Sequence, residues 1–154
     1  MAIEHVDIAD GERHEPKGAS TATIDQVWAS DGAGSGAFRE IPWSDTVMMA
    51  DVSTADFVLI PIPINCTIQS IRYVLEKAIT VADATITVTR GGGGAAMGTQ
   101  VIAFSGSAEG TTFDQTPSGN NTITASTHKY IKIATDGAST TACRMWITIK
   151  AKVV

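Results

Sequence analysis

The sequence predicts an all-β protein: an antiparallel jelly-roll-like β-sandwich preceded by an extended, mostly irregular N-terminal arm. Two observations predict the sandwich. Ile and Val together number 28 of the 154 residues and Thr adds 20, whereas Leu numbers 2. β-Branched side chains are stiff about χ1 and suit a pleated surface, while Leu is the usual filler of helical cores. Apolar residues also alternate with polar ones in short runs, about eight in all, with turn-forming residues between them. A third observation predicts the arm. Residues 1–45 hold nine acids and three bases, a net −6, while residues 46–154 hold seven acids and eight bases, a net +1. The first segment is rich in Gly, Ala, Ser, Asp and Thr and has no sustained period of 2 or 3.6. Alone, it cannot bury much apolar surface. The expected domains are therefore an arm, 1–45, and a β-sandwich, 46–154.

Taken in order, the arm carries Trp28, Phe38 and Trp43, two of the three tryptophans in the chain. A disordered linker should be poor in aromatics, so these read as anchors that dock either onto the chain's own β domain or onto another chain. Between them, Asp31-Gly-Ala-Gly-Ser-Gly36 is a flexible or tightly turning stretch. The first strand is expected at 46–50 and the second at 57–64, where Pro61 and Pro63 restrict it to a sheet edge or a bulge. Residues 66–79 form a longer run in which Ile71, Tyr73 and Leu75 alternate with Arg72, Val74 and Glu76. Residues 84–90 place isoleucine and valine on one face and threonine on the other. Further strands are expected at 100–105, 121–125, 128–135 and 144–153. In the last, Met145, Ile147, Ile149, Ala151 and Val153 oppose Trp146, Thr148, Lys150 and Lys152. The turns are Asn65, the glycines 91–94, Ser105-Gly106, residues 117–120 and Asp136-Gly137. Helix is expected to be minimal. A seven-stranded immunoglobulin-like sandwich is the main competing architecture.

Composition excludes several classes of function. A net charge of −5 and a pI near 5.0 argue against nucleic acid as the main partner. The longest apolar stretch, 57–64, has eight residues and two prolines, too short for a membrane span, and the N-terminus has no signal-peptide pattern. His5, His14 and His128 lack metal-pair spacing and have no cysteine nearby, so no metal is expected. No nucleophile elbow occurs, and Gly34-Ser35-Gly36 has no helix after it. The glycine clusters at 32–36 and 91–94 lack the following helix that a phosphate cradle needs. Asp51, Asp56, Asp83, Asp114 and Asp136 fall at expected turns, where Asp is favoured for local hydrogen bonds. The expectation is no enzyme, no cofactor and no small-molecule substrate. Cys66 and Cys143 are too few for a disulfide framework; they read as buried thiols, with a bridge between them left open.

Arg13-His14-Glu15-Pro16-Lys17-Gly18-Ala19-Ser20-Thr21-Ala22, followed by Gln26-Val27-Trp28 and Asp31-Gly-Ala-Gly-Ser-Gly36, resembles the N-terminal region of tailed-bacteriophage head decoration (cement) and head-fibre proteins. The β part is similar to the same group through Ile62-Pro63-Ile64-Asn65-Cys66-Thr67-Ile68, Ala82-Asp83-Ala84-Thr85-Ile86-Thr87-Val88, Ser105-Gly106-Ser107-Ala108-Glu109-Gly110 and Ile131-Lys132-Ile133-Ala134-Thr135-Asp136-Gly137. The resemblance implies a structural virion protein, made in the bacterial host cytoplasm and added to the outer capsid surface. It implies a homotrimer whose arm spreads over the major capsid protein and bridges adjacent capsomers. The capsid-binding residues it implies are His14, Glu15, Pro16, Lys17 and Gly18, with Trp28 and the 32–36 turn matched more loosely. Phe38 and Trp43 join them as aromatic anchors of the arm. The alternative is a receptor- or glycan-binding head or tail fibre module, since jelly rolls also serve as lectins and Tyr130 and Trp146 could bind sugars from an exposed face, although Trp146 reads first as packing against a second sheet or a trimer neighbour.

Overall fold

The structure is a computed structural model that describes residues 26–30, 36–40 and 42–154. It divides into two compact units, Met1–Ile41 and Pro42–Val154. In the first, β1 (Gln26–Ser30) pairs antiparallel with β2 (Gly36–Glu40), and Trp28 stands directly opposite Phe38. A hairpin thus forms inside the segment that the sequence marks as an arm. Its strands centre on the β-formers Val27, Trp28 and Phe38 and end at the glycine-rich connection.

The second unit contains β3 (Pro42–Met49), β4 (Phe57–Pro61), β5 (Cys66–Leu75), β6 (Ala84–Arg90), β7 (Ala96–Ile102), β8 (Thr112–Gln115), β9 (Thr122–Ile123), α1 (Ala125–His128), β10 (Tyr130–Thr135) and β11 (Met145–Val153). One sheet has the order β3-β11-β5-β8, with β9 also on β5; the other has the order β4-β10-β6-β7. Set the two-residue β9 aside and eight strands remain. The first pairs with the last (β3 with β11), the second with the seventh (β4 with β10), the third with the sixth (β5 with β8), and the fourth with the fifth (β6 with β7). Successive pairs alternate between the sheets, as in one long antiparallel ribbon rolled on itself. The fold is therefore an all-β jelly-roll sandwich.

Alternation decides which face each strand buries. In β6, Ala84, Ile86 and Val88 are buried while Thr85, Thr87 and Thr89 face outward. In β11, Met145, Ile147, Ile149 and Ala151 are buried, and Trp146 and Lys150 are exposed. Strand β5 changes phase once. Cys66 and Ile68 are buried, then Ile71, Tyr73 and Leu75. The change coincides with a register shift opposite Lys150/Ala151. A β-bulge inserts one residue, so both halves of the strand present apolar side chains to the same core. The core fills from both sheets, Ile68, Ile71, Ile147 and Ile149 meeting Ile60, Ile86, Ile131 and Ile133 in one cluster. Its one large polar member, Tyr73, donates its hydroxyl proton to Gln115 Oε1.

Several boundaries differ from the sequence reading. The strand expected at 100–105 is β7, which runs Ala96–Ile102. Strand β3 starts at Pro42, not 46, and its residues 42–45 pair with β11. Residues 42–45 therefore belong to the sandwich, held by the nine-residue β11 beside them. Strand β8 lies in a stretch read as loop. One turn of helix, α1, separates the strands expected at 121–125 and 128–135. Pro61 does close β4, an edge strand, as the proline pattern requires.

Candidate functional site

Of the residues that sequence points to as capsid-binding, the structure describes Trp28, Phe38 and Trp43. His14, Glu15, Pro16, Lys17 and Gly18 lie outside the described residues. Trp28 and Phe38 are cross-strand partners in the hairpin. Trp43 is half-buried in β3, opposite Ala151, and packs against the sandwich core. Its ring completes the wall of its own domain, because the alternation of β3 directs it inward.

No catalytic constellation forms among the described residues. The acids serve the backbone. Asp51 accepts from the amides of Ser53 (2.9 Å) and Cys143 (3.1 Å) and from the Ser53 hydroxyl (2.8 Å). The Ser53 amide chiefly holds its carboxyl below the usual carboxylate value. Asp56 caps Phe57, Asp83 caps Phe104, and Asp136 accepts from Thr85 and Ala138. Asp114 departs from the turn expectation. It stands on β8 and accepts both arms of Arg72, at 2.7 and 2.9 Å. His128 accepts the amide of Thr124 through Nδ1, which closes the turn of α1. No group of three or more His, Cys, Asp or Glu that could hold a metal occurs among the described residues. No described helix is long and apolar enough to cross a membrane.

The two thiols are free and buried. Cys66 opens β5, whereas Cys143 lies just before Met145, which pairs with Leu75 at the far end of β5. Nine residues of strand separate them by about 30 Å, so the bridge left open by the sequence is not available. Burial pushes the Cys66 thiol up. Cys143 borders a shallow polar cavity of about 260 Å³ beside Asp51, Lys77 and the Glu76–Arg144 ion pair.

The outer faces of the two sheets differ in chemistry. On the four-stranded sheet, Phe57, Leu59 and Pro61 stand opposite Ala134, Lys132 and Tyr130. Phe57 and Leu59 are each 48% exposed. Thr85, Thr87 and Thr89 of β6 continue the surface to Thr99 and Val101 of β7. Lys132 is the one charged side chain in this set, and its amino group lies 4.4 Å from the centroid of the Phe57 ring.

The five-stranded sheet presents a polar grid. Trp146 lies between Met48 and Val74; Thr148 between Thr46 and Arg72; Lys150 between Ser44 and Ser70. Asp114 extends the Thr148 row beyond Arg72. The small side chains of Ser70 and Thr148, set among Arg72, Asp114 and Lys150, leave a cleft of about 260 Å³. Arg72 keeps the Asp114 carboxyl below its usual value, with help from the Lys150 charge. Sequence alternation put Trp146, Thr148 and Lys150 on one face of the strand but read Trp146 first as packed, whereas it is exposed; the partnership with β8 was missed, because β8 is four residues long and has no extended pattern.

No family model and no curated protein matches the chain. Among solved structures, it is similar to a chain of the Bacillus endospore appendages, described as a novel family of disulfide-linked pili. That likeness has 18% identity and a TM-score of 0.40, and covers 74% of this chain and 88% of that one. It is also similar to a chain of infectious bursal disease virus, Gx strain, with 14% identity and a TM-score of 0.32, covering 79% of this chain and 35% of that one. This chain thus spans about a third of the length of the viral chain.

Proposed function

We propose that this protein is a structural virion component that binds the outer surface of a tailed-phage capsid and stabilises it by bridging neighbouring capsomers. The observation that carries the reading is the outer face of the four-stranded sheet. Phe57, Leu59, Tyr130 and Val101 stand exposed there in a nearly uncharged field of threonines. Phe57, Leu59 and Pro61 beside Tyr130 make an exposed apolar edge, and an exposed apolar patch on a small domain marks a contact surface. In this reading the face joins three copies into a homotrimer. The N-terminal segment, with His14 to Gly18, Trp28 and Phe38, engages the major capsid protein. Trp43, half-buried against the sandwich core, is left out of the capsid contact in this reading. The protein performs no chemistry and needs no cofactor, nucleic acid or membrane. Trimerisation multiplies weak arm contacts through effective concentration.

The test is co-sedimentation with undecorated heads, comparing the full chain with residues 42–154, alongside light scattering for mass. The full chain should bind saturably as a trimer. The truncated chain should stay folded, because it holds the entire core cluster, and should fail to bind. A monomer that ignores heads, or a truncated chain that binds as well as the full one, overturns the reading.

A further inference from the structure

We infer that the outer face of the five-stranded sheet carries a binding site for a carboxylate-bearing saccharide, seated in the Ser70–Arg72–Asp114–Thr148–Lys150 cleft beside Trp146. This site lies wholly within the unit Pro42–Val154 and does not depend on capsid attachment. Its parts are those that sugar recognition requires. A saccharide offers an apolar C–H face for an aromatic ring and a rim of hydroxyls for paired donors and acceptors. Trp146 is 49% exposed and sits on β11 between the apolar side chains of Met48 and Val74. An indole supplies a large, rigid apolar face together with one N–H donor. Thr148 and Lys150 follow on the same face of β11, so the row runs about 13 Å from Trp146 to Lys150.

The polar groups are pre-oriented. Asp114 holds Arg72 through two hydrogen bonds of 2.7 and 2.9 Å, and Thr46 and Thr148 share a hydroxyl hydrogen bond of 3.0 Å. Groups already fixed lose little entropy when a ligand binds. The Asp114 carboxylate stays ionised, and a carboxylate has about four lone-pair sites, two of which Arg72 uses. The remaining ones can accept sugar hydroxyls.

Charge selects the class of saccharide. The cleft has two cations, Arg72 and Lys150, and one anion, Asp114. The outward rows of this sheet therefore carry a net positive charge on a chain whose total is −5. An anionic sugar is attracted to Lys150 by a charge-assisted hydrogen bond. Ligand pockets run from roughly 300 Å³ upward, so a cleft of about 260 Å³ fits one ring of a longer chain.

The experiment is an array of uronate- and sialate-bearing oligosaccharides beside neutral counterparts, read with the full chain, then titration of the best acidic oligosaccharide by calorimetry. Acidic sugars should be retained over neutral ones, and binding should weaken as salt is raised. Trp146→Ala and Lys150→Gln should each weaken binding about tenfold or more, a change of about 1.4 kcal/mol. Trp146→Phe should restore most of it. Tyr130→Ala, on the other sheet, should leave it unchanged. Retention of no glycan, equal retention of neutral sugars, or indifference to Trp146→Ala and Lys150→Gln overturns the inference. If those variants instead alter the oligomeric mass while no sugar binds, the face is a subunit contact and the inference fails. Failure to bind heads, by contrast, leaves this result untouched and counts only against the decoration role.

Discussion

At the residue scale, two positions show how tightly the jelly roll constrains single side chains. Gly91 ends the β6 strand and donates its amide to Tyr130 at 2.8 Å. A Cβ there would lie 2.0 Å from the His128 carbonyl oxygen. The glycine is required by close approach, since its φ is not positive. Gly94 differs: its φ is +65° and nothing lies within 4 Å of the Cβ position. We expect Gly91→Ala to cost about 2–3 kcal/mol through overpacking. We expect Gly94→Ala to cost about 1 kcal/mol, the left-handed penalty alone. Thermal melts of the two variants check the order. Asp51 is the second constrained position. It ties the turn after β3 to Cys143, the residue two before β11. Its carboxyl titrates below the unfolded value, so its stabilisation is present above the unfolded pKa and is lost as pH falls through the folded one. Asp51→Ala should cost about 1 kcal/mol at pH 7. Urea unfolding at pH 7 and below pH 4 should show the gap from wild type closing in acid.

At the scale of elements, alternation was the legible signal, and it worked where a strand is long and has one buried face. Strands β6, β10 and β11 show the expected inward residues, Ile86, Ile131, Ile133, Ile147 and Ile149 among them. Thr112–Gln115 was not legible, because four residues give no period and Tyr73, its partner through Gln115, is 42 positions away. Of the strand expected at 121–125 only Thr122–Ile123 forms, and Ala125 and His128, read as strand ends, belong to α1, because Ile123 and Thr124 favour strand locally. The Asn65 carboxamide accepting the Ala125 amide at 2.9 Å fixes the turn there, and that contact is long-range. Of the candidate surfaces, only the shared face of Trp146, Thr148 and Lys150 was legible, not its exposure: Trp146 read first as packed, and Asp114 reads as a turn residue until β8 brings it to Arg72. The arm boundary was misplaced because Trp43 was weighed by composition rather than by its partner, Ala151. That correction separates two tryptophans by role. Trp43→Ala should cost the sandwich about 2 kcal/mol, since its half-buried ring leaves a gap against the core. Trp28→Ala should leave the melting temperature of the sandwich unchanged and weaken attachment to heads. Melts and head sedimentation of both variants, side by side, check the division.

At the scale of the whole molecule, the rolled ribbon puts the two cysteines in different mechanical settings. Strand β5 runs the length of its sheet with β11 on one side and β8 and β9 on the other. Cys66 sits at one end, fully buried, with Ile123 and Val153 as its cross-strand neighbours. Exposing it requires β5 to leave partners on both sides, which amounts to unfolding the sandwich. Global unfolding of a domain of this size costs on the order of 5–15 kcal/mol. Cys143 is also buried, but it lies in the connection before β11 and borders the cavity beside Asp51. Local opening of that connection reaches it, and such openings cost less than global unfolding. Two consequences follow from one geometry. No intramolecular disulfide can form, so the melting temperature should be the same with and without reductant. In the native protein an aromatic disulfide reagent should label Cys143 slowly and Cys66 only at the global unfolding rate, with both labelled at once in denaturant. Asp51→Ala, which loosens the connection, should speed labelling of Cys143 and leave Cys66 unaffected. Equal rates for the two thiols, or a melt that shifts with reductant, would place them in one environment and contradict the roll.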